Sequence, residues 1–291
     1  MISFLLAFQN GLKNLFALIA TLARILFMSK KRVKLPPAPL PDCLVLGNGP
    51  SLTASLTARP RLVSEASIFC VNAFALSNLY TDIKPQYYVL AAPEYWQSGV
   101  LAIYVNARNR LFEAIVQKTT WPLVIFASAE AQKYPEFAQT LSKNQHVSIY
   151  YFNTTPVEGF TGTCHFFYRM GWGIPRPHNI LIPALMLAVG MGHKRVYLLG
   201  ADHSWLPEIS VNNQNEVLVH QKHFYDETHS KPDRMYYAGR RPRRLYEVLE
   251  KFYFTFRSYF YIDRYARSRG TIIYNATPYS FIDAFERKDI F

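Results

Sequence analysis

The sequence predicts an α/β fold: a doubly wound, mostly parallel sheet with helices on both faces, preceded by a membrane-associated N-terminal helix. Three observations carry this reading. From residue 42 to residue 274, short apolar runs of strand length alternate with helical stretches. A glycine-bearing turn, Gly47-Asn48-Gly49-Pro50-Ser51, follows the first of those runs. Ahead of them, Met1 to Met28 form one apolar segment with helical periodicity.

At about 100° per residue, Phe4, Phe8, Leu12, Leu15, Ile19, Leu22 and Leu26 share one face of that segment. Asn10, Lys13, Asn14, Thr21 and Arg24 gather on the other. This is the pattern of a helix lying in a membrane interface, and the following Lys30, Lys31, Arg32 and Lys34 suit anionic headgroups. A single span is the alternative, since only Lys13 and Arg24 bring charge into the segment. In both cases the basic flank holds the rest of the chain on the cytoplasmic face of the inner membrane. A signal peptide fits less well, because no positive n-region precedes the apolar run and no small-residue cleavage site follows. A helix packed on its own domain is the remaining reading. Residues 35–41, Leu-Pro-Pro-Ala-Pro-Leu-Pro, form a stiff extended spacer.

The globular domain is expected over 42–291. Strands are predicted at Cys43–Leu46, Ile68–Val71, Tyr87–Leu90, Leu123–Phe126, Val147–Tyr151, Arg195–Leu199 and Thr271–Tyr274. Helices are predicted at about 102–118, 129–141, 179–189 and 243–269, with a lid-like insertion at about 203–242. No internal repeat is visible.

Composition narrows the partners. Half of the 291 residues are hydrophobic and 15% are aromatic, which supports a sizeable core and excludes global disorder. A net charge of +12 favours acidic lipid, phosphorylated small molecules or nucleic acid. The aromatics at Phe252, Phe256 and Phe260 have core-like spacing and no recognition motif accompanies them, so nucleic acid is not expected. Cys43, Cys70 and Cys164 are far apart and odd in number, against a disulfide framework or zinc knuckle.

In open parallel sheets, ligands bind beyond the carboxyl ends of the strands. Gly47–Ser51, Asn72, Ala91–Glu94 and Gly200–Asp202 stand there with small or polar residues. The two glycines of the first loop would let backbone N–H groups approach a phosphate, with Asn48 and Ser51 adding side-chain bonds. The loop is neither a dinucleotide fingerprint nor a Walker loop, and a tight turn that merely caps a helix has the same composition.

The string Val45-Leu-Gly-Asn-Gly-Pro-Ser-Leu52 resembles the opening of the bacterial sialyltransferases that use CMP-activated sialic acid. It is also similar to the flagellin-glycosylating motility-associated factors and to archaeal hydroxymethylpterin diphosphokinases. Phe69–Phe74, with Asn72 after the second strand, is a second match. The stretch Asn179–Asp202 is a third, and Tyr274–Pro278 with Ser280 fits the last strand and turn. The resemblance covers about residues 42–287 with long unmatched stretches. It implies a Rossmann-like, single-domain GT-A-like sheet of the sialyltransferase type. It further implies metal-independent transfer of a sialic or other nonulosonic acid from a CMP donor to a surface glycan or lipopolysaccharide precursor.

Carried over by position, the resemblance implies a nucleotide site of Gly47, Asn48, Gly49, Ser51, Asn72, His178, Asn179 and Gly200. Departures accompany the matches. Ala91–Glu94 replaces the Asn expected after the third strand, and His178-Asn179 replaces a Thr-Ser pair. Arg240 stands where the family's catalytic His follows Tyr237-x-Gly, and Arg, with a pKa above about 12, is no base at neutral pH. Tyr237 and Arg240 are therefore expected at the donor phosphate or leaving group. Asp202 is expected near the reacting centre with His203 or His223 as base. Arg234, Arg240, Arg241, Arg243 and Arg244 form the densest cationic cluster, read either as a phosphate-neutralising patch or as a solvated helix start. The His220, His223, Asp226, His229 spacing drifts about 60° per step on a helix, so no metal or cofactor is expected. An Mg²⁺-dependent diphosphokinase and a non-catalytic accessory module of polysaccharide assembly are the alternatives.

Overall fold

The computed structural model describes residues 2–30, 33–58, 60–220, 224, 232–237 and 239–289. Helix α1 (Ile2–Met28) comes first, and β1 (Asp42–Leu46) follows the spacer. Then come α2 (Leu52–Thr57), α3 (Pro60–Glu65), β2 (Ser67–Val71), α4 (Leu79–Ile83), β3 (Tyr87–Leu90), α5 (Ala102–Lys118), β4 (Leu123–Ser128), α6 (Pro135–Leu141) and β5 (Val147–Phe152). The chain continues through α7 (Thr161–Arg169), α8 (Leu181–Met191) and β6 (Arg195–Leu199). The insertion carries β7 (Ile209–Val211), β8 (Val217–Val219), β9 (Asp233–Arg234), β10 (Tyr236–Tyr237) and β11 (Arg241–Pro242). Helix α9 (Leu245–Ser268), β12 (Ile272–Asn275) and β13 (Glu286–Arg287) close the fold.

The eight long-sheet strands run in the order β13-β12-β6-β1-β2-β3-β4-β5, and every neighbouring pair is parallel. The chain winds outward from β1 to β5, then α8 carries it back to the other side of β1. The winding direction therefore reverses between β1 and β6. Crevices at such reversals are where open α/β sheets hold ligands.

Because side chains alternate along a strand, each strand feeds two cores. Cys43 and Val45 of β1 pack in the layer of α7, α8 and α9, while Leu44 and Leu46 pack in the layer of α2, α4, α5 and α6. Helix α8 is apolar on every side because it is covered twice, by the sheet beneath and by the spacer above. Leu35 and Ala38 pack on that core, and the Ala38 N–H donates to the Met191 carbonyl (2.9 Å). It starts two residues later than predicted, because Asn179 Oδ1 accepts the Leu181 N–H (2.8 Å) and holds the residues before the helix in a turn. Helix α7 was not anticipated.

Helix α1 docks by the side that carries Thr21 and Arg24, on which Leu18 and Ile25 also pack against the core. The buried Thr21 hydroxyl donates to the Glu158 carbonyl (2.8 Å) and accepts the Glu158 N–H (2.9 Å). Arg24 pairs with the Glu158 carboxylate, which Arg176 also holds at 2.6 Å. The Ser29 hydroxyl donates to the Trp172 carbonyl (2.6 Å). The apolar face, Phe8, Leu12, Leu15, Ile19, Leu22 and Leu26, is left 40–77% exposed. An apolar stripe left bare in this way is unlike a helix packed on a soluble core, which turns its apolar stripe inward. The segment is also long and apolar enough to cross a bilayer.

Candidate functional site

At the reversal the loops after β1 and β6 touch backbone to backbone. The Gly47 N–H donates to the Leu199 carbonyl (2.7 Å) and the Gly49 N–H to the Gly200 carbonyl (2.7 Å). A Cβ at Gly47 would sit 2.4 Å from the Gly200 oxygen, and one at Gly200 would sit 2.5 Å from the Gly47 oxygen. Gly200 also has φ of +63°. The glycines thus permit loop–loop contact. The sequence reading gave the N–H groups of Gly47 and Gly49 to a phosphate, and here both are spent on carbonyls. That part of the reading is corrected.

Asp202 fills the place at the mouth of α2 that a phosphate was expected to take. The Ser51 hydroxyl donates to its Oδ2 (2.9 Å), and the Ser51 N–H supports the same carboxylate. Burial nevertheless pushes the Asp202 carboxyl above the usual carboxylate range. Beside it, Asn48 is buried. Its Nδ2 donates to the Val71 carbonyl (3.2 Å), while its Oδ1 has no donor among the described residues. A buried amide oxygen without a donor is a costly group to leave alone and marks a place for a ligand N–H or O–H.

His203 lies inward, which departs from the expected base. Its ring stacks on Trp205 (4.0 Å between centroids) and its Nε2 shares a 2.7 Å hydrogen bond with the Tyr259 hydroxyl. Burial drives its pKa down to about 3, so it is neutral at pH 7. With 6% of its surface exposed, the ring has no room for an acceptor hydroxyl. It belongs to a network in which the Tyr259 hydroxyl also reaches Asn179 Oδ1 (3.4 Å), tying the β6 loop to the start of α8. His223 lies outside the described residues, as do Asp226, Glu227 and His229.

The same edge continues at Asn72 and Glu94. Asn72 has φ of +51°, and its Oδ1 accepts the Tyr95 hydroxyl (3.3 Å). The neighbouring Glu94 carboxyl is raised by desolvation, opposed by its own N–H and by the Lys251 ammonium. Lys251, on the second turn of α9, is lowered to about 8 by desolvation and by Arg243, with Glu94 opposing. Tyr104 is pushed up to about 12 by desolvation and the Glu94 charge. His178 stacks on Phe254 (5.5 Å) and is held down to about 4 by desolvation and by Arg176, Lys251 and Arg243. Lys251 is thus coupled electrostatically to Glu94, to Arg243 and to His178 between the end of β3 and the start of α9.

Sequence reasoning missed Glu94 and Lys251. Ala91–Glu94 was placed at a strand end but Glu94 was given no role, because the resemblance expects Asn there, and Lys251 lies beyond the arginine cluster that drew attention to this helix. The signal was available: a strand end carrying the carboxylate, and a cationic cluster leading into α9.

The described part of the insertion lies over this edge. The Phe224 N–H donates to the Asn48 carbonyl (3.0 Å), its ring meets Phe74, and Tyr236 meets Tyr104 (6.0 Å). Tyr237 and Arg240 are exposed on the β10–β11 ribbon. The Arg241 and Arg243 guanidiniums lie over the Tyr237 ring at 5.0 and 4.7 Å, and Arg240 Nη2 reaches Gln97 Oε1 at 3.4 Å. Arg241 forms a two-pronged pair with Glu247 (2.7 and 2.9 Å), so this arginine is committed to capping α9. Among the described residues, no three His, Cys, Asp or Glu side chains gather as metal ligands.

No protein-family model and no curated protein matches the chain. Among solved structures it is similar to a MAf glycosyltransferase from Magnetospirillum magneticum AMB-1, with a TM-score of 0.48 and 10% identity over 92% of this chain. The chain spans 37% of that protein's length. A likeness at this level assigns no chemistry.

Proposed function

We propose that the chain is a membrane-associated glycosyltransferase. It would move a sialic or other nonulosonic acid from a CMP donor onto a surface glycan or lipopolysaccharide precursor, at the cytoplasmic face of the inner membrane. The observation that carries this reading is the buried, donor-free Asn48 amide at the strand edge, supported by the desolvated and electrostatically coupled Glu94 and Lys251. Asn48 and Asn72 would hold the nucleotide, with Gly47, Gly49 and Gly200 shaping the crevice, Ser51 fixing Asp202 at its floor, and His178 and Asn179 bounding it. Asp202 keeps the two loops together.

Glu94, whose raised pKa improves it as a base, would take the acceptor hydroxyl proton. The acceptor oxygen then bonds to the anomeric carbon while the bond to the donor phosphate breaks, and CMP leaves with that electron pair. Lys251 and Arg243, with Tyr237 and Arg240, would neutralise the departing phosphate. A nucleoside monophosphate carries a single phosphate, which cations and hydroxyls can stabilise without a metal. Thr21 and Arg24 tie one side of α1 to the protein while the stripe from Phe8 to Leu26 is bare, which favours a helix lying in the interface over one surrounded by lipid.

Thermal stabilisation by CMP, UDP, GDP and ATP, with and without Mg²⁺, tests the reading. A metal-independent shift with CMP, lost in Asn48→Ala, is expected. A shift with ATP and Mg²⁺ only would move the chain to the diphosphokinase class, and no shift with any nucleotide would leave the non-catalytic accessory module.

A further inference from the structure

A cavity of about 510 Å³ lies away from the strand edge, on the α1 side of the fold. It is walled by residues 33–35, the end of α7, the middle of α8 and the end of α9. Its volume falls within the roughly 300–1,000 Å³ typical of small-ligand sites. None of the crevice residues lines it.

Its chemistry is two-sided. Phe166, Met186 and Leu187 give it an apolar wall, and Lys34, Arg169 and Arg269 give it cations. No carboxylate lines it. All three cations are exposed, and none is in an ion pair among the described residues. A cavity lined by three cations and no carboxylate attracts an anion.

Its position is equally specific. The cavity lies just beyond the C-terminal end of α1, beside residues 33–35. The Phe166 ring meets Trp172 (5.9 Å), whose carbonyl accepts the Ser29 hydroxyl just past the end of the helix. The Tyr150 hydroxyl donates to the Lys34 carbonyl and fixes the segment that carries the first cation. Phe160 and Phe166, at the start of α7 and within it, are themselves exposed.

We propose that this cavity binds one anionic membrane phospholipid. Lys34, Arg169 and Arg269 hold the headgroup phosphate, and the apolar wall covers the start of an acyl chain. The site rests on the interfacial reading of α1 and deepens it, by making residence at the membrane selective for acidic lipid. A free phosphate would satisfy the cations but leave the apolar wall bare, so the lipid is the occupant that fits both halves.

The test uses the full chain and a short-chain, monomeric phosphatidylglycerol. Short-chain phosphatidylcholine and inorganic phosphate serve as controls, read by thermal shift. Phosphatidylglycerol alone is expected to stabilise the protein, with affinity falling roughly fivefold for each cation removed in Arg169→Ala and Arg269→Ala. Arg169→Lys should retain most of the effect, which separates charge loss from misfolding. An equal shift with inorganic phosphate would overturn the proposal in favour of a simple anion site. Equal shifts with both lipids, or an alanine variant that binds as well as wild type, would overturn it too. The α1 reading is tested separately, by co-sedimentation with phosphatidylcholine vesicles and with vesicles containing phosphatidylglycerol. Leu15→Glu with Leu22→Glu should abolish both while sparing the monomeric-lipid shift, and vesicle binding that survives those changes would count against the anchor alone.

Discussion

His203 makes the fold acid-sensitive by an amount that can be worked out. Its ring is buried between Trp205 and Tyr259, and its pKa falls from 6.5 to about 3. Between those values the unfolded chain binds a proton that the folded chain refuses. Stability is therefore full above about pH 6.5 and is lost as pH falls toward 3. At about pH 5 the loss from this residue is about 2 kcal/mol, and it approaches 4–5 kcal/mol once pH passes below 3. Urea unfolding at neutral pH and at about pH 5 measures it, in wild type and in His203→Gln. The variant starts less stable, because it loses the ring contacts, but its further loss on acidification should be smaller than that of wild type by about 2 kcal/mol. Equal losses in the two proteins would refute the buried, neutral placement of the ring and restore His203 as an accessible base.

Three other outcomes are expected. Gly200→Ala should destabilise the protein by about 1–3 kcal/mol in a thermal melt, because its φ is +63° and the new methyl would meet the Gly47 carbonyl oxygen at 2.5 Å. Glu94→Gln should lower kcat by about 10²–10⁴-fold with nucleotide affinity little changed, as steady-state kinetics beside equilibrium binding would show. Nucleotide affinity should fall as pH rises through about 8, because Lys251 must carry its proton to meet a phosphate and its free-state pKa is about 8. Calorimetry in buffers of different ionisation enthalpy would detect the linked proton uptake, and Lys251→Met should abolish it.

The sheet was legible because its strands are short buried runs separated by helices. All seven predicted strands, from Cys43–Leu46 to Thr271–Tyr274, are present within two residues. Helix α7 was not legible: Thr161–Arg169 carries glycine, threonine and aromatic residues, and it forms because Phe167 and Tyr168 pack on α8 and α9. The orientation of α1 could be read only half way. Periodicity separates the two faces, but which one meets the protein depends on a glutamate at 158, far along the chain.

At the crevice, spacing identified the right loops and misjudged their bonds. Nothing in Gly47–Ser51 reveals that Gly200 and Asp202 arrive from another strand to occupy the N–H groups. His203 was chosen because it follows a strand end, yet a left-handed φ of +53° places it in a turn whose ring lies among aromatics from α9. Glu94 and Lys251 are 157 positions apart, and their charges influence each other only in the folded chain.

The most direct test of glycosyl transfer is the release of free nucleotide from sugar donors by the purified chain, with CMP-linked and UDP-linked sugars compared in the presence and absence of a chelator. Chelator-resistant release of CMP, lost in Glu94→Gln and in Asn48→Ala, is the predicted result. Inert sugar nucleotides combined with Mg²⁺-dependent conversion of ATP to AMP would contradict it.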